Sequence, residues 1–111
     1  MRKIDVSGYL VKLKTPAGEM HDIQYDVKEM LVGILLHSSL QLTGIELHAR
    51  MPIADKIKKH DLSKGELLLE EDEYSKLLSA VKTIQGFGMN DAEMVRRIIE
   101  AEEVAVKEAV K

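Results

Sequence analysis

The chain has 111 residues, 45% of them hydrophobic and 32% charged, a size that fits one domain with its own core. It has no Cys, which excludes disulfide scaffolds, zinc fingers, iron–sulfur clusters and thiol catalysis. Its net charge of −3 gives no overall attraction for nucleic acid or an anionic membrane, and no apolar run reaches the roughly 18 residues of a membrane span. Met1-Arg2-Lys3-Ile4-Asp5 lacks the apolar stretch of a signal peptide. The expectation is a soluble, cytoplasmic single domain over 1–111, with a hairpin at about 4–25 and a helical part at about 26–111.

The first segment predicts a β-hairpin. Tyr9, Val11 and Leu13 alternate with Leu10, Lys12 and Lys14, and Ile23 and Tyr25 alternate with Asp22 and Gln24. Thr15-Pro16-Ala17-Gly18 between them reads as a turn. Ile4 and Val6 either extend the first strand or form a short one of their own. A lone hairpin is marginal in water, so this one is expected to lie on helices or to gain a further strand.

Asp26 followed by Glu29 has the spacing of a helix-starting capping box, with Tyr25 and Met30 as its apolar staple. Val27, Met30, Leu31, Ile34 and Leu35 make one stripe, and Val32, Leu36 and Leu40 are apolar too, so this helix is expected at the centre. Gly33 within it is explained either by a close crossing of two helix backbones or by chance. Thr43 with Glu46 starts a second helix, with Leu42 and Leu47 as staple. Its apolar face is read as Ile45, Ala49, Ile53 and Ile57, and Pro52 predicts a kink or a break.

Glu66-Leu67-Leu68-Leu69 is a short apolar run of strand length, one candidate for a third strand on the hairpin. Glu70 to Glu73 places negative charge at the start of a third helix, whose stripe is Tyr74, Leu77, Leu78, Val81 and Ile84. Gln85-Gly86-Phe87-Gly88-Met89 is the Gly-rich loop and holds the only Phe. Asn90 with Glu93 opens a fourth helix with Val95, Ile98 and Ile99 facing inward. Ala101, Ala105 and Ala109 would continue it as a ladder of small residues at which a second helix can approach closely.

The residues that can carry chemistry are few. His21, His37, His48 and His60 include no pair at metal-ligand spacing on one helix, and no metal or cofactor is expected. No Ser–His–Asp, Ser–Lys or hydrolase spacing is present, and no catalytic residue is assigned, although a site near His21 and Asp26 stands as a third alternative. Gly86-Phe87-Gly88 lacks the Lys of a P-loop and the third Gly of a dinucleotide fingerprint. Arg96 and Arg97 lie one turn from Glu100 and Glu93, the spacing of helix ion pairs.

Two surfaces remain. One is for protein, formed by Phe87 on its loop and by the Ala101, Ala105 and Ala109 edge; the partner is a second copy of the chain or another protein. The other is for nucleic acid, formed by Arg50, Lys56, Lys58 and Lys59, with no aromatic residue interleaved for stacking.

The order hairpin, apolar helix, basic helix, then Leu69-Glu70-Glu71-Asp72-Glu73-Tyr74-Ser75-Lys76-Leu77-Leu78 resembles small accessory proteins of tailed phages and prophages. That resemblance implies a role in virion assembly or in redirecting a host protein, and it transfers no functional residue. The sequence thus points to an α+β fold, a small antiparallel hairpin or three-stranded sheet on about four helices. The expected function is a non-enzymatic, homo-oligomeric interaction protein, with nucleic-acid binding as the alternative.

Overall fold

A computed structural model of the protein describes residues 1–104. In chain order the strands and helices are β1 (Arg2–Ile4), β2 (Tyr9–Lys14), β3 (Met20–Tyr25), α1 (Val27–Leu35), α2 (Gly44–Lys59), β4 (Leu67–Leu69), α3 (Glu71–Thr83), α4 (Ala92–Ile99) and β5 (Glu102–Glu103). Four helices and two antiparallel sheets make the α+β fold.

The core sheet is not the hairpin. It has the order β4-β1-β5, with β1 in the middle. Arg2 pairs with Leu69 on one side and Glu103 on the other, and Ile4 pairs with Leu67. Alternation decides which side chains enter the core: Ile4, Leu67 and Leu69 are buried, while Leu68 points out. The expectation that Glu66–Leu69 joins the hairpin is therefore corrected. β1 competes for that edge successfully because its pairing turns Ile4, Leu67 and Leu69 together onto the helices.

α1 starts where the sequence places it. The Asp26 carboxylate accepts the Glu29 N–H at 3.1 Å. Val27, Leu31, Ile34 and Leu35 are buried, a stripe that meets both α2 and α3. The helix stops at Leu35 rather than near Leu40; Ser38–Leu40 is a separate 3₁₀ turn. Gly33 marks no close crossing, since a Cβ there meets nothing within 4 Å.

α2 is one continuous helix of 16 residues, unbroken at Pro52. The Thr43 hydroxyl caps it by accepting the Glu46 N–H at 3.1 Å. Its buried face is Arg50, Ile53, Ala54 and Ile57, whereas Ile45 and Ala49 are exposed. Packing on both sides of Pro52 outweighs the loss of one backbone bond. Arg50 is anchored before it, and Ile53, Ala54 and Ile57 are anchored after it.

α3 opens with the Glu70 N–H donating to the Glu73 carboxylate at 2.8 Å. It buries Tyr74, Leu77, Ala80 and Val81. The Tyr74 hydroxyl donates to the Ile98 carbonyl at 2.6 Å, joining α3 to the last turn of α4. Leu31, Leu35, Ile57, Leu77, Met94 and Ile98 are among the fully buried side chains. Each stabilises the fold by about 1.5–3 kcal/mol relative to an exposed position.

α4 ends at Ile99, one short turn before Ala101. The expected continuation through the alanine ladder is corrected, and the cause is β1. Its free edge takes Glu102 and Glu103 as a strand, Arg2 donates to the Ala101 carbonyl at 3.0 Å, and Val104 N–H donates to the Met1 carbonyl at 2.7 Å. Lys3 faces Glu102 at 3.5 Å and Arg2 faces Glu103 at 3.6 Å. The hairpin β2–β3 stands off this body as an arm, and the molecule extends 55 × 34 × 22 Å.

Candidate protein-binding surface

The arm is fixed only at its base. Tyr9 and Tyr25 pair across the strands and their rings stack, 4.7 Å between centroids. The Tyr9 hydroxyl donates to the Asn90 carbonyl at 2.8 Å and accepts the Met94 N–H at 3.2 Å. The Tyr25 hydroxyl donates to the Asp91 carboxylate. Burial, and for Tyr25 also the neighbouring Asp91, raises both phenol pKa values, so each hydroxyl keeps its proton. Arg97 completes the clamp. It lies over the Tyr9 ring at 5.1 Å and donates to the carbonyls of Asp5 and Ser7 at 3.0 and 2.7 Å.

Beyond that base Val11 is half-buried, and from Lys12 to Gln24 the arm is exposed except at Thr15. Its register puts Tyr9, Val11 and Leu13 on one face with Tyr25, Ile23 and His21. Leu13 is 50% exposed and Ile23 41%. At the tip, the Gly18 N–H donates to the Thr15 carbonyl at 2.9 Å, with Gly18 at φ +86°. Positive φ there explains the glycine.

A second apolar surface lies on α4. The helix is too short to bury two rows, so Met94 and Ile98 face the core while Val95 is half-buried and Ile99 is 55% exposed. The expectation that Ile99 faces inward is corrected accordingly, while Val95 packs against the core from its half-buried position. A shallow groove runs between Phe87, Ala92, Val95 and Ile99, edged by Arg96 and Glu100. Phe87 is half-buried on its wall and also packs against the core. Met89 is almost fully exposed between this groove and β2. One cluster of exposed apolar groups of this kind is the usual mark of an interaction surface.

Charges frame the groove tightly. Glu93 receives Arg96 at 2.7 Å and Arg97 at 2.9 Å, and Arg96 reaches Glu100 at 3.3 Å. The two guanidinium groups, Arg96 above all, hold the Glu93 carboxyl at about 2, well below the usual carboxylate range. A depressed folded pKa stabilises the protein above the unfolded value of about 4.5 and loses that effect as pH falls towards 2. Glu93→Gln should therefore melt below the parent at pH 7, with the gap closing between pH 4.5 and 2; a gap that stays constant in thermal melts would contradict this.

The other sequence-predicted residues are placed less favourably. Ala101 is 7% exposed, outside the helix and in the core, so it presents no edge; Ala105 and Ala109 lie outside the described residues. Arg50 is buried, donating to Glu46 and to the Leu35 carbonyl, and Lys56 is paired with Glu73 at 2.8 Å. Lys58 and Lys59 are exposed, and neither forms an ion pair among the described residues. The basic segment thus keeps two of its four candidate contacts on the surface.

The histidines are dispersed. His21 is exposed on the arm, 3.4 Å from Glu19, and Asp26 caps α1 five residues further on, about 16 Å along an extended strand. The His37 ring accepts the Ser39 N–H at 3.1 Å, and His60 Nε2 meets the Gly65 carbonyl at 2.7 Å. Among the described residues no three His, Asp or Glu side chains could hold a metal ion together. Gly86-Phe87-Gly88 forms a loop in which the Gly88 N–H is taken by Asp91 at 2.8 Å.

Met89 and Ile99 were not legible as surface residues. The one available signal was the pair of i,i+4 rows, Met94 with Ile98 and Val95 with Ile99, on a helix that only one row could anchor. Comparison with protein-family models, curated proteins and solved structures returns no match for this chain.

Proposed function

We propose that the chain is a non-enzymatic protein-interaction module that self-associates through the α4 groove of Phe87, Val95 and Ile99. The observation that carries this reading is the groove on α4 where exposed Ile99 and half-buried Val95 lie beside Phe87, a half-buried aromatic anchor. Such anchors dominate binding energy at protein interfaces. The resemblance to phage accessory proteins suits a module of this kind to assembly or to redirecting a host protein. Of the nucleic-acid alternative, only Lys58 and Lys59 remain as exposed contacts that form no ion pair among the described residues.

The test is solution mass by light scattering for the parent and for Ile99→Glu, at low and high salt. The parent should be a dimer or larger at both, because screening does not weaken an apolar contact. Ile99 is exposed, so Ile99→Glu should keep its circular dichroism while its association weakens at least about tenfold, the cost of desolvating a carboxylate. Equal masses for the two chains would overturn the reading.

A further inference from the structure

We infer that β5 is a strap that ionic strength opens: its pairing with β1 is fastened by charge, and it releases on its own while β4 stays in place. This is independent of the α4 groove. β1 carries a neighbour on each side, and different forces hold the two. On one side Leu67 and Leu69 of β4 are buried, 2% and 0% exposed, so lifting β4 away opens the core. On the other side the strand is two residues long, and Glu102 and Glu103 are both exposed. Its apolar attachment among the described residues is the buried Ala101 before it and the half-buried Val104 after it.

The fastening is a network of charges centred on Arg2. One terminal nitrogen of the guanidinium donates to the Ala101 carbonyl at 3.0 Å, where the strap begins, and the other lies 3.6 Å from the Glu103 carboxylate. Its Nε donates to Glu71 at 3.1 Å, and the group lies 4.9 Å from the centre of the Tyr74 ring, so α3 holds this clasp in position. Lys3 meets Glu102 at 3.5 Å. The Met1 amine lies 4.0 Å from Glu71 and donates to the Val104 carbonyl at 3.4 Å. Glu71, Glu102 and Glu103 are each more than half exposed, so dissolved ions reach all of these pairs. At 1 M salt the screening length falls to about 3 Å, shorter than either strap ion pair.

The backbone separates the two sides of β1. Met1 and Val104 exchange both of their hydrogen bonds. By alternation Lys3 and Glu102 are the next bonded pair, and the Arg2 and Ile4 groups turn towards β4. The Lys3, Glu102 and Val104 amides therefore report the strap, and the Ile4, Leu67 and Leu69 amides report β4. Released, β5 leaves the Met1 and Lys3 backbone groups unpaired on an edge that carries Arg2 and Lys3.

Amide hydrogen exchange of the full chain, followed by NMR, tests this, with Glu102→Gln plus Glu103→Gln as the comparison. Both side chains are exposed, so the double variant keeps the fold. In the parent, the Lys3, Glu102 and Val104 amides should be less protected than those of Ile4, Leu67 and Leu69. Between roughly 0.05 M and roughly 1 M sodium chloride their protection should fall at least about threefold against those references. The double variant should show the lower protection already at low salt, with no further loss at high salt. Equal protection on the two sides of β1 would overturn the inference, and so would strap amides whose protection either treatment leaves unchanged.

Discussion

Arg50→Ala should cost about 2–4 kcal/mol of stability, the largest single-residue effect expected outside the apolar core. The side chain is 7% exposed and ties three helices. Its Nε donates to Glu46 at 3.0 Å and one terminal nitrogen donates to the Leu35 carbonyl at 2.9 Å, while Lys76 of α3 reaches the same Glu46 oxygen at 2.8 Å. Truncation leaves the Leu35 carbonyl, one of the orphan acceptors at the end of α1, buried without a donor. It also removes one of the two cations that hold the Glu46 carboxyl below its ordinary range, Lys76 being the larger influence. Arg50→Lys should recover only part, because an ammonium does not reproduce the guanidinium fork. Urea denaturation and a melting temperature lower by about 10 °C or more are the readouts. A variant as stable as the parent but deficient in nucleic-acid binding would reverse the assignment of this residue from scaffold to contact.

Gly8→Ala should cost about 1–3 kcal/mol, through crowding rather than backbone strain. A Cβ at this position would sit 2.2 Å from the Gln24 side-chain nitrogen and 2.8 Å from the Tyr25 carbonyl oxygen. Gln24 can swing away, but the carbonyl belongs to the strand itself. The arm must shift at its base, which pulls Tyr9 from Asn90 and Met94 and Tyr25 from Asp91. Denaturation reads the stability loss, and the tyrosine ring signals in NMR read the displacement. Unchanged stability with unmoved Tyr9 and Tyr25 signals would show that the strand yields without cost.

The local signals in the sequence were sound where one side chain acts on its own backbone. Asp26 and Thr43 cap the helices they were expected to cap, and the hairpin expected at about 4–25 forms over Tyr9 to Tyr25. Arg96 and Arg97 make the ion pairs that their spacing predicted. What failed was long-range choice. Whether Leu67–Leu69 pairs with β2 or with Arg2–Ile4 depends on which pairing buries Ile4, and no local pattern encodes that. The alanine ladder failed for the same reason. Ala101, Glu102 and Glu103 have adequate helix propensity, but a bare strand edge with Arg2 and Lys3 on it outcompetes one more helical turn. Arg50 misled because a run of bases on a helix looks solvated until a helix-end carbonyl fifteen residues earlier claims one of them.

The central place of β1 sets the timetable of synthesis. Arg2–Ile4 leaves the ribosome well before its partners, residues 67–69 and 102–103. At translation rates of about 5–20 residues per second, the first strand waits on the order of 5–20 s for its second neighbour. Until residues 67–69 emerge, Ile4 has no strand partner, and for the whole interval one edge of β1 is open to any extended segment nearby. The sheet is a seam that Glu102 and Glu103 close about a hundred residues after β1, so contact order governs its rate of folding. A nascent chain stalled before Glu102 would present β1 with one edge bare, a form fit for a chaperone or for aggregation rather than for assembly.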